Sequence, residues 1–343
     1  MLRQFNVHIG WLIAYAWNPL VIKEIANGGH LDSIAVLLMM VAIFSLTRWI
    51  QNHEQQKPAG VSALIAAGIA LGLGFGAKLF PIVLFPAFVV AVGRVKWSAA
   101  MMFSVLFLVT SFLVLAPMYW DSGSQVQLAS ATDATNGEPG QQQKEGLASF
   151  LSRWRMNDVI FSGIYLNLKP GSPNTEPWFV GLPRETRNQI TDWCKRHSLG
   201  GQRPAFFLAR MITLGIFAVF YLYQLAVIYR ATQAVGFDRL VLIMAVFLFL
   251  QPTVNPWYWT WVVALTPLAR SRGWVLVAGI LMVYYSRFWF RKLSETYEFL
   301  GVQYSGAGLF DHFVAWGEFG AIVCVLTGVH LFRLSKKSET GES

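Results

Sequence analysis

The chain has 343 residues, of which 55% are hydrophobic and 13% charged, with a mean hydropathy of +0.46. A soluble globular domain carries about twice that charged fraction, so the composition excludes one and indicates a polytopic membrane protein. The net charge of +9 is spread over segments flanking apolar runs, with no basic stripe interleaved with aromatics, which fits topology and lipid headgroups and speaks against nucleic acid.

A spanning helix needs about 20 apolar residues, and the sequence supplies such runs near 5–22, 32–48, 98–116, 205–229, 273–290 and 312–333. Residues 61–93 are apolar except for Lys78, and as one helix at about 1.5 Å per residue they would overshoot a hydrocarbon core of about 30 Å. The run therefore folds into a hairpin that turns at "FGAKLFP", where Gly76 loosens one helix and Pro81 starts the next. Residues 239–269 repeat the problem and break at "QPTVNPWYW", with Pro252, Asn255 and Pro256. The predicted fold class is an all-α transmembrane helical bundle of about ten segments. It divides into residues 1–117, a long loop over 118–204, and residues 205–343 with a short tail.

Counting Lys and Arg in short loops gives the orientation. With the N-terminus cytoplasmic, that side collects Arg48, Lys57, Arg94, Lys96, Arg230, Arg239, Arg270, Arg272, Arg333, Lys336 and Lys337. The other side receives "NPLVIKEIANGGHLDS", Lys78, the long loop, the "NPWYW" break and residues 291–311. The expected location is an inner, plasma-type membrane with the active face extracytoplasmic. The first apolar run meets Asn18, Pro19 and Lys23 without a small-residue cleavage site, so no cleavable signal peptide is read. Cys194 and Cys324 fall at different depths and make no disulfide framework. No P-loop, dinucleotide fingerprint, zinc pattern or internal repeat is present.

Within "NPLVIKEIANGGHLDS", residues 18–33, Lys23, Glu24, His30 and Asp32 lie between two apolar runs. Capping and interface anchoring account for any one of them taken singly, but ionisable groups at membrane helix ends also mark sites. Lys78 either snorkels to the headgroups or faces the same cavity as His30 and Asp32 and binds a lipid-linked phosphate. In "FLSRWRMNDVIFSGIYLN", residues 150–167, Phe150, Trp154, Val159, Phe161 and Ile164 give an amphipathic element at the membrane surface. Arg153, Arg155, Asn157 and Asp158 make it a candidate lid or acceptor-binding piece. Residues 121–146 are rich in Gln, Gly, Ser and Thr and read as mobile. The acidic residues Asp133, Glu138, Glu145 and Asp158 do not define a metal site. In "NPWYWTW", residues 255–261, Trp257 and Tyr258 serve an aromatic belt, a sugar-binding face, or both.

"WNPLVIKEIANGGHLDSIAVLLMMVAIF", "GLGFGAKLFPIVLFP", "RWRMND" and "NPWYWTWVVALTPLA" occur in the order and spacing of GT-C membrane glycosyltransferases. Over about residues 10–270 the chain most resembles glycosyltransferase family 87 and its polyprenyl-phosphate-mannose-dependent mannosyltransferase relatives. The resemblance implies inverting transfer of a hexose, often mannose, from a polyprenyl-phosphate donor to an extracytoplasmic glycan or lipid acceptor. A carboxylate would serve as base and cations would hold the lipid phosphate. Lys78, with His30, would take the phosphate; Arg155, Asn157, Asp158, Trp257 and Tyr258 the sugar or acceptor. No organic cofactor is implied, and room is left for a divalent metal. The family's key Asp lies in a first loop ahead of the segment that resembles "NPLVIKE", so it is expected upstream of Met1. Asp32 and Glu24 are the carboxylates left to test as base. The alternative is a noncatalytic or truncated homologue of these enzymes acting as a membrane subunit, and the competitor from another class is a secondary transporter. The latter is disfavoured by charges at helix ends and by the lack of a repeat.

Overall fold

The computed structural model describes all residues except 1, 6, 59, 134–154, 172–175, 202, 232–235, 272, 300 and 341–343. The described helices of eight residues or more are α1 (Asp32–Glu54), α2 (Val61–Ala77), α3 (Phe85–Val95), α4 (Trp97–Asp133), α5 (Val159–Leu168), α6 (Arg184–Arg196), α7 (Pro204–Arg230), α8 (Phe237–Phe249), α9 (Gly273–Ile280) and α10 (Ala315–Thr340). A two-stranded antiparallel hairpin, β1 (Thr296–Phe299) and β2 (Val302–Ser305), turns at Gly301, whose φ is 74°. The all-α expectation thus gains one small hairpin.

Five stretches among the described residues are long and apolar enough to cross a membrane: Asp32–Glu54, Trp97–Pro117, Pro204–Arg230, Gly273–Phe290 and Gly306–Arg333. Shorter apolar helices lie at Val61–Ala77, Phe80–Val95 and Val159–Leu168. The chain is therefore an α-helical membrane protein, with fewer full-length spans than the apolar runs suggested. The deficit has local causes. The run at 5–22 is broken into a 3-10 turn (Ile9–Leu12), an α turn (Ile13–Ala16), a second one (Pro19–Val21) and a π-helical stretch (Ile22–Asn27). Asn18 forces the restart, its side chain accepting from the Leu20 N–H at 3.0 Å while Pro19 takes the first helical position. After α8 the "QPTVNPWYW" stretch breaks as expected, but in place of a second long helix the chain runs through short 3-10 and α pieces to Leu268. Pro256 and Pro267 each lack the N–H that a continuous helix needs.

The long loop is more regular than its composition indicates. Helix α4 continues to Asp133, and α5 and α6 are helical. The first part of the amphipathic element, with Phe150, Arg153 and Trp154, lies outside the described residues. So does half of the Gln- and Gly-rich stretch, with Glu138 and Glu145.

The chain divides into two compact units. In the first, His30–Arg153 with Tyr223–Gly236, α1 packs on α2, α2 on α4, and α3 on α4. Gly68, Gly72 and Gly76 of α2 line its seam with α4. A Cβ built on them would come within 2.7 Å of Leu106 Cβ, 2.8 Å of Thr110 Cβ, and onto Val114. Four-residue spacing of glycine puts all three on one helix face, and close backbone approach replaces the hydrophobic drive that lipid does not supply. Lys78 is extended at the end of α2, at φ −159° and ψ 139°, which is the turn read at "FGAKLFP". At the far end of α1, Glu54 pairs with Arg94 at 2.7 Å, and Arg94 also donates to the Ala231 carbonyl.

In the second unit, Leu2–Gly29, Trp154–Leu222 and Phe237–Ser343, α9 packs on α10 and on Pro19–Val21. At one end the Asp238 carboxylate accepts from the Arg270 and Ser271 N–H groups, and Arg333 donates to the Arg270 carbonyl.

Candidate active site

In the first unit Asp32 opens α1, almost wholly buried, and Lys78 reaches it from the end of α2 with Nζ 3.1 Å from Oδ2. The two residues are 46 apart in sequence, and the hairpin turn is what joins them: an extended backbone at Lys78 carries its side chain away from the α2 axis. His30, half-buried, lies just ahead of α1, and its carbonyl accepts from the Ser33 N–H and hydroxyl at 3.4 and 3.3 Å.

Glu24 lies in the second unit, on the π-helical stretch, with its side chain buried. Lys23 Nζ is 3.1 Å from Glu24 Oε1, and the same oxygen accepts from the Tyr285 hydroxyl. The Lys23 ammonium also stands 4.4 Å above the Tyr285 ring. The cluster read as continuous over residues 18–33 therefore divides between the units at Gly29, whose φ of 64° a side chain would oppose.

The second unit holds the rest of the candidate residues. Met156 forms a parallel backbone bridge to Thr253: its N–H donates to the Pro252 carbonyl at 3.0 Å and its carbonyl accepts from Val254 N–H at 2.8 Å. "RWRMND" and "QPTVNPWYW", separate in sequence, are thereby sewn together. Arg155 donates from Nε to Asp158 at 2.9 Å and from its other end to the Ser162 hydroxyl, and stacks 4.4 Å over Tyr165. Burial pushes the Asp158 carboxyl up from 3.8 to about 6. Arg155 offsets part of the rise, and the Asp311 charge adds to it. Asn157, at φ 54°, turns its amide to Glu318 of α10 with an Nδ2 to Oε1 distance of 3.1 Å. Trp257 and Tyr258 are half-buried, edge to face at 5.8 Å, with Trp257 packed on Tyr284 and Tyr258 on Trp261.

Several partners escaped sequence reasoning. Arg287 grips Asp311 through two parallel hydrogen bonds of 2.9 and 3.0 Å, and Tyr285 and Glu318 bind the residues just described. The missed signal was available: Arg287, Asp311 and Glu318 interrupt apolar runs, and a charge inside or at the end of a span needs a partner. Among the described residues no three of His, Cys, Asp and Glu come together as a metal site.

The candidate residues thus fall into two groups of paired charges, one in each unit. Asp32 and Lys78 form one; Glu24, Asp158 and Asp311, with their cations, form the other. Such groups can hold an anion, orient hydroxyls and accept a proton.

Two family models match the chain. Glycosyltransferase family 87 matches residues 4–169, a little under half of the 343, and the MptB C-terminal domain matches residues 197–299. No curated protein and no solved structure matches. The first match contains Glu24, Asp32, Lys78 and the Arg155–Asp158 segment; the second contains Trp257, Tyr258 and Arg287. Together they support a membrane glycosyltransferase similar to family 87 and to mannosyltransferases, the likeness read from the sequence.

Proposed function

We propose that this chain, similar to glycosyltransferase family 87 over residues 4–169, transfers a hexose, mannose by preference, from a polyprenyl-phosphate donor to an extracytoplasmic glycan or lipid acceptor. That match, on an apolar helical chain, is the observation that carries the reading. The acceptor hydroxyl attacks the anomeric carbon as the bond from that carbon to the lipid phosphate breaks. The configuration inverts, the hydroxyl proton passes to a carboxylate, and the phosphate leaves on the lipid.

In this reading Lys78, with His30, receives the phosphate, whose charge competes with Asp32 for the ammonium. Asp32 and Glu24 are the candidate bases. Arg155, Asn157, Asp158, Trp257 and Tyr258 orient the sugar or acceptor. The ten-segment topology and an extracytoplasmic active face belong to the same proposal. Two observations support the orientation. Glu54, Arg94 and Ala231 meet at one end of the first unit, and Asp238, Arg270 and Arg333 meet in the second. The positive-inside count puts all six at cytoplasmic ends.

The test is the purified full chain in proteoliposomes, supplied with polyprenyl-phosphate-[14C]mannose and a total glycolipid extract. Label entering the extract from the lipid-linked donor, and not from GDP-mannose, is expected. Lys78→Ala and Asp32→Ala should abolish it. Undiminished transfer in both would remove the phosphate and base assignments. Wild-type protein that transfers nothing would leave the noncatalytic subunit as the reading.

A further inference from the structure

Three buried side chains of the second unit present oxygens that the fold itself does not satisfy. Asn157 and Asn255 are each 2% exposed and Glu318 3%. Among the described residues Asn157 Oδ1, Asn255 Oδ1 and Glu318 Oε2 have no hydrogen-bond partner. Buried polar atoms without partners are destabilising, so three in one region call for a reason.

They share a region because three chain segments converge there. Asn157 follows Met156, whose bridge to Thr253 brings Asn255 alongside, and Asn157 Nδ2 ties Glu318 Oε1 at 3.1 Å. One buried apolar cluster touches all three segments: Val159 beyond Asn157, Val254 beside Asn255, and Phe319 beside Glu318. Trp257 and Trp316, only partly buried, pack against that cluster and carry it to the surface. The left-handed backbone of Asn157 adds to the cost of the arrangement.

The chemistry of the three free atoms selects the ligand. Asn157 Oδ1 and Asn255 Oδ1 accept, and Glu318 Oε2 belongs to a carboxyl group that accepts when ionised and donates when protonated. The indole N–H of Trp316, packed on the same cluster, is a donor that also has no partner among the described residues. Sugar hydroxyls both donate and accept, whereas a phosphodiester, which offers only acceptor oxygens, leaves the two amide oxygens unsatisfied. A ring of hydroxyl donors satisfies them, and aromatic faces such as Trp257 suit the apolar side of a sugar. We propose that Asn157, Asn255 and Glu318 form a hexose-hydroxyl site that reads the sugar ring independently of the lipid phosphate. Glu318 and Asn255 are its specificity-determining residues. The choice of a hexose, among hydroxyl donors, rests on the glycosyltransferase reading.

The probe is octyl α-mannopyranoside, titrated into the detergent-solubilised full chain while tryptophan fluorescence is followed, with octyl α-glucopyranoside and NaCl or MgCl2 as parallel titrants. Saturable binding of a hexoside is expected, weakened about tenfold or more by Glu318→Gln and by Asn255→Leu, as befits one lost hydrogen bond to a desolvated group. Thermal unfolding of each variant confirms that it folds. Where transfer is measurable, the same variants should raise KM for the lipid-linked donor more than they lower kcat. Unchanged hexoside affinity in both folded variants overturns the site, as does a fluorescence response to Na+ or Mg2+ with none to hexosides. Hexoside binding that the variants abolish, in a wild-type chain that transfers no sugar, would keep the site and reject the transferase. Transfer by a wild-type chain that binds no hexoside would do the reverse.

Discussion

Asn157 is a buried residue in the left-handed region, and its amide holds Glu318. Asn tolerates that backbone; alanine pays about 1–2 kcal/mol for it and glycine does not. Asn157→Ala and Asn157→Gly lose the same contact to Glu318, so their difference isolates the backbone. Thermal unfolding in detergent should place the glycine variant above the alanine variant, and the opposite order would contradict the left-handed assignment. The neighbouring Asp158 makes a prediction about pH. Its folded value of about 6 lies above the ordinary 3.8, so between those values the native chain holds a proton that the unfolded chain has released. Its contribution to stability is complete below pH 3.8 and is lost as pH rises through 6. Wild type minus Asp158→Asn stability should therefore fall between pH 4 and 6 and level off above. A difference that rises over that window would reverse the sign of the shift. For the Asp32 and Lys78 pair, removing one partner strands the other, a loss of about 3–5 kcal/mol for fully buried pairs. Since Lys78 keeps 36% of its side chain exposed, a smaller loss is expected here. Lys78→Met should cost stability that Lys78→Met/Asp32→Asn partly recovers, while transfer stays lost in both.

At the scale of elements the helix glycines sort into those the packing needs and those it does not. Gly72 faces the Phe107 carbonyl, 3.0 Å from where its Cβ would be, and a backbone atom cannot rotate out of the way. Gly215 of α7 has nothing within 4 Å. Gly72→Val should lower the unfolding free energy by about 1–3 kcal/mol through overpacking, whereas Gly215→Ala should be neutral or stabilise by up to about 1 kcal/mol. Equal effects at the two positions would mean that the α2–α4 seam does not carry the first unit. This level also shows what the sequence made legible. Pro81, Gly76 and Lys78 announced their turn because each acts locally, through a missing N–H, a missing Cβ and a charge that avoids lipid. The break at Pro252–Pro256 was visible for the same reason. The pairing of Met156 with Thr253 was not, because a backbone bridge leaves no mark on side-chain identity. Nor was Tyr285 on Glu24, 261 positions apart, since hydropathy patterns report burial but not partners. The run over 5–22 misled because apolar composition is indifferent to whether a helix is continuous, and Asn18 and Pro19 decide that it is not.

For the whole molecule the testable quantity is sidedness. Helix α1 has 23 residues and so measures about 35 Å at 1.5 Å per residue, enough to cross a hydrocarbon core. Asp32 and Glu54, at its two ends, must then face opposite sides. In the proposed ten-segment topology the positive-inside count predicts a cytoplasmic Glu54 end, together with Lys57, and an extracytoplasmic α6. Single cysteines can be put at Lys57, at Lys195 of α6 and at Lys292, after replacing Cys194 and Cys324 with alanine, and labelled in intact cells with a membrane-impermeant maleimide. Cysteines at 195 and 292 should label without permeabilisation, and that at 57 only after it. The reverse pattern would turn the protein over, carrying Asp32 and Lys78 to the cytoplasmic face, where nucleotide-activated sugars are available and a lipid-linked donor is no longer required. Labelling at 195 without labelling at 292 would keep the first half of the topology and require an odd number of crossings between α6 and the hairpin, where the proposed ten-segment topology has four.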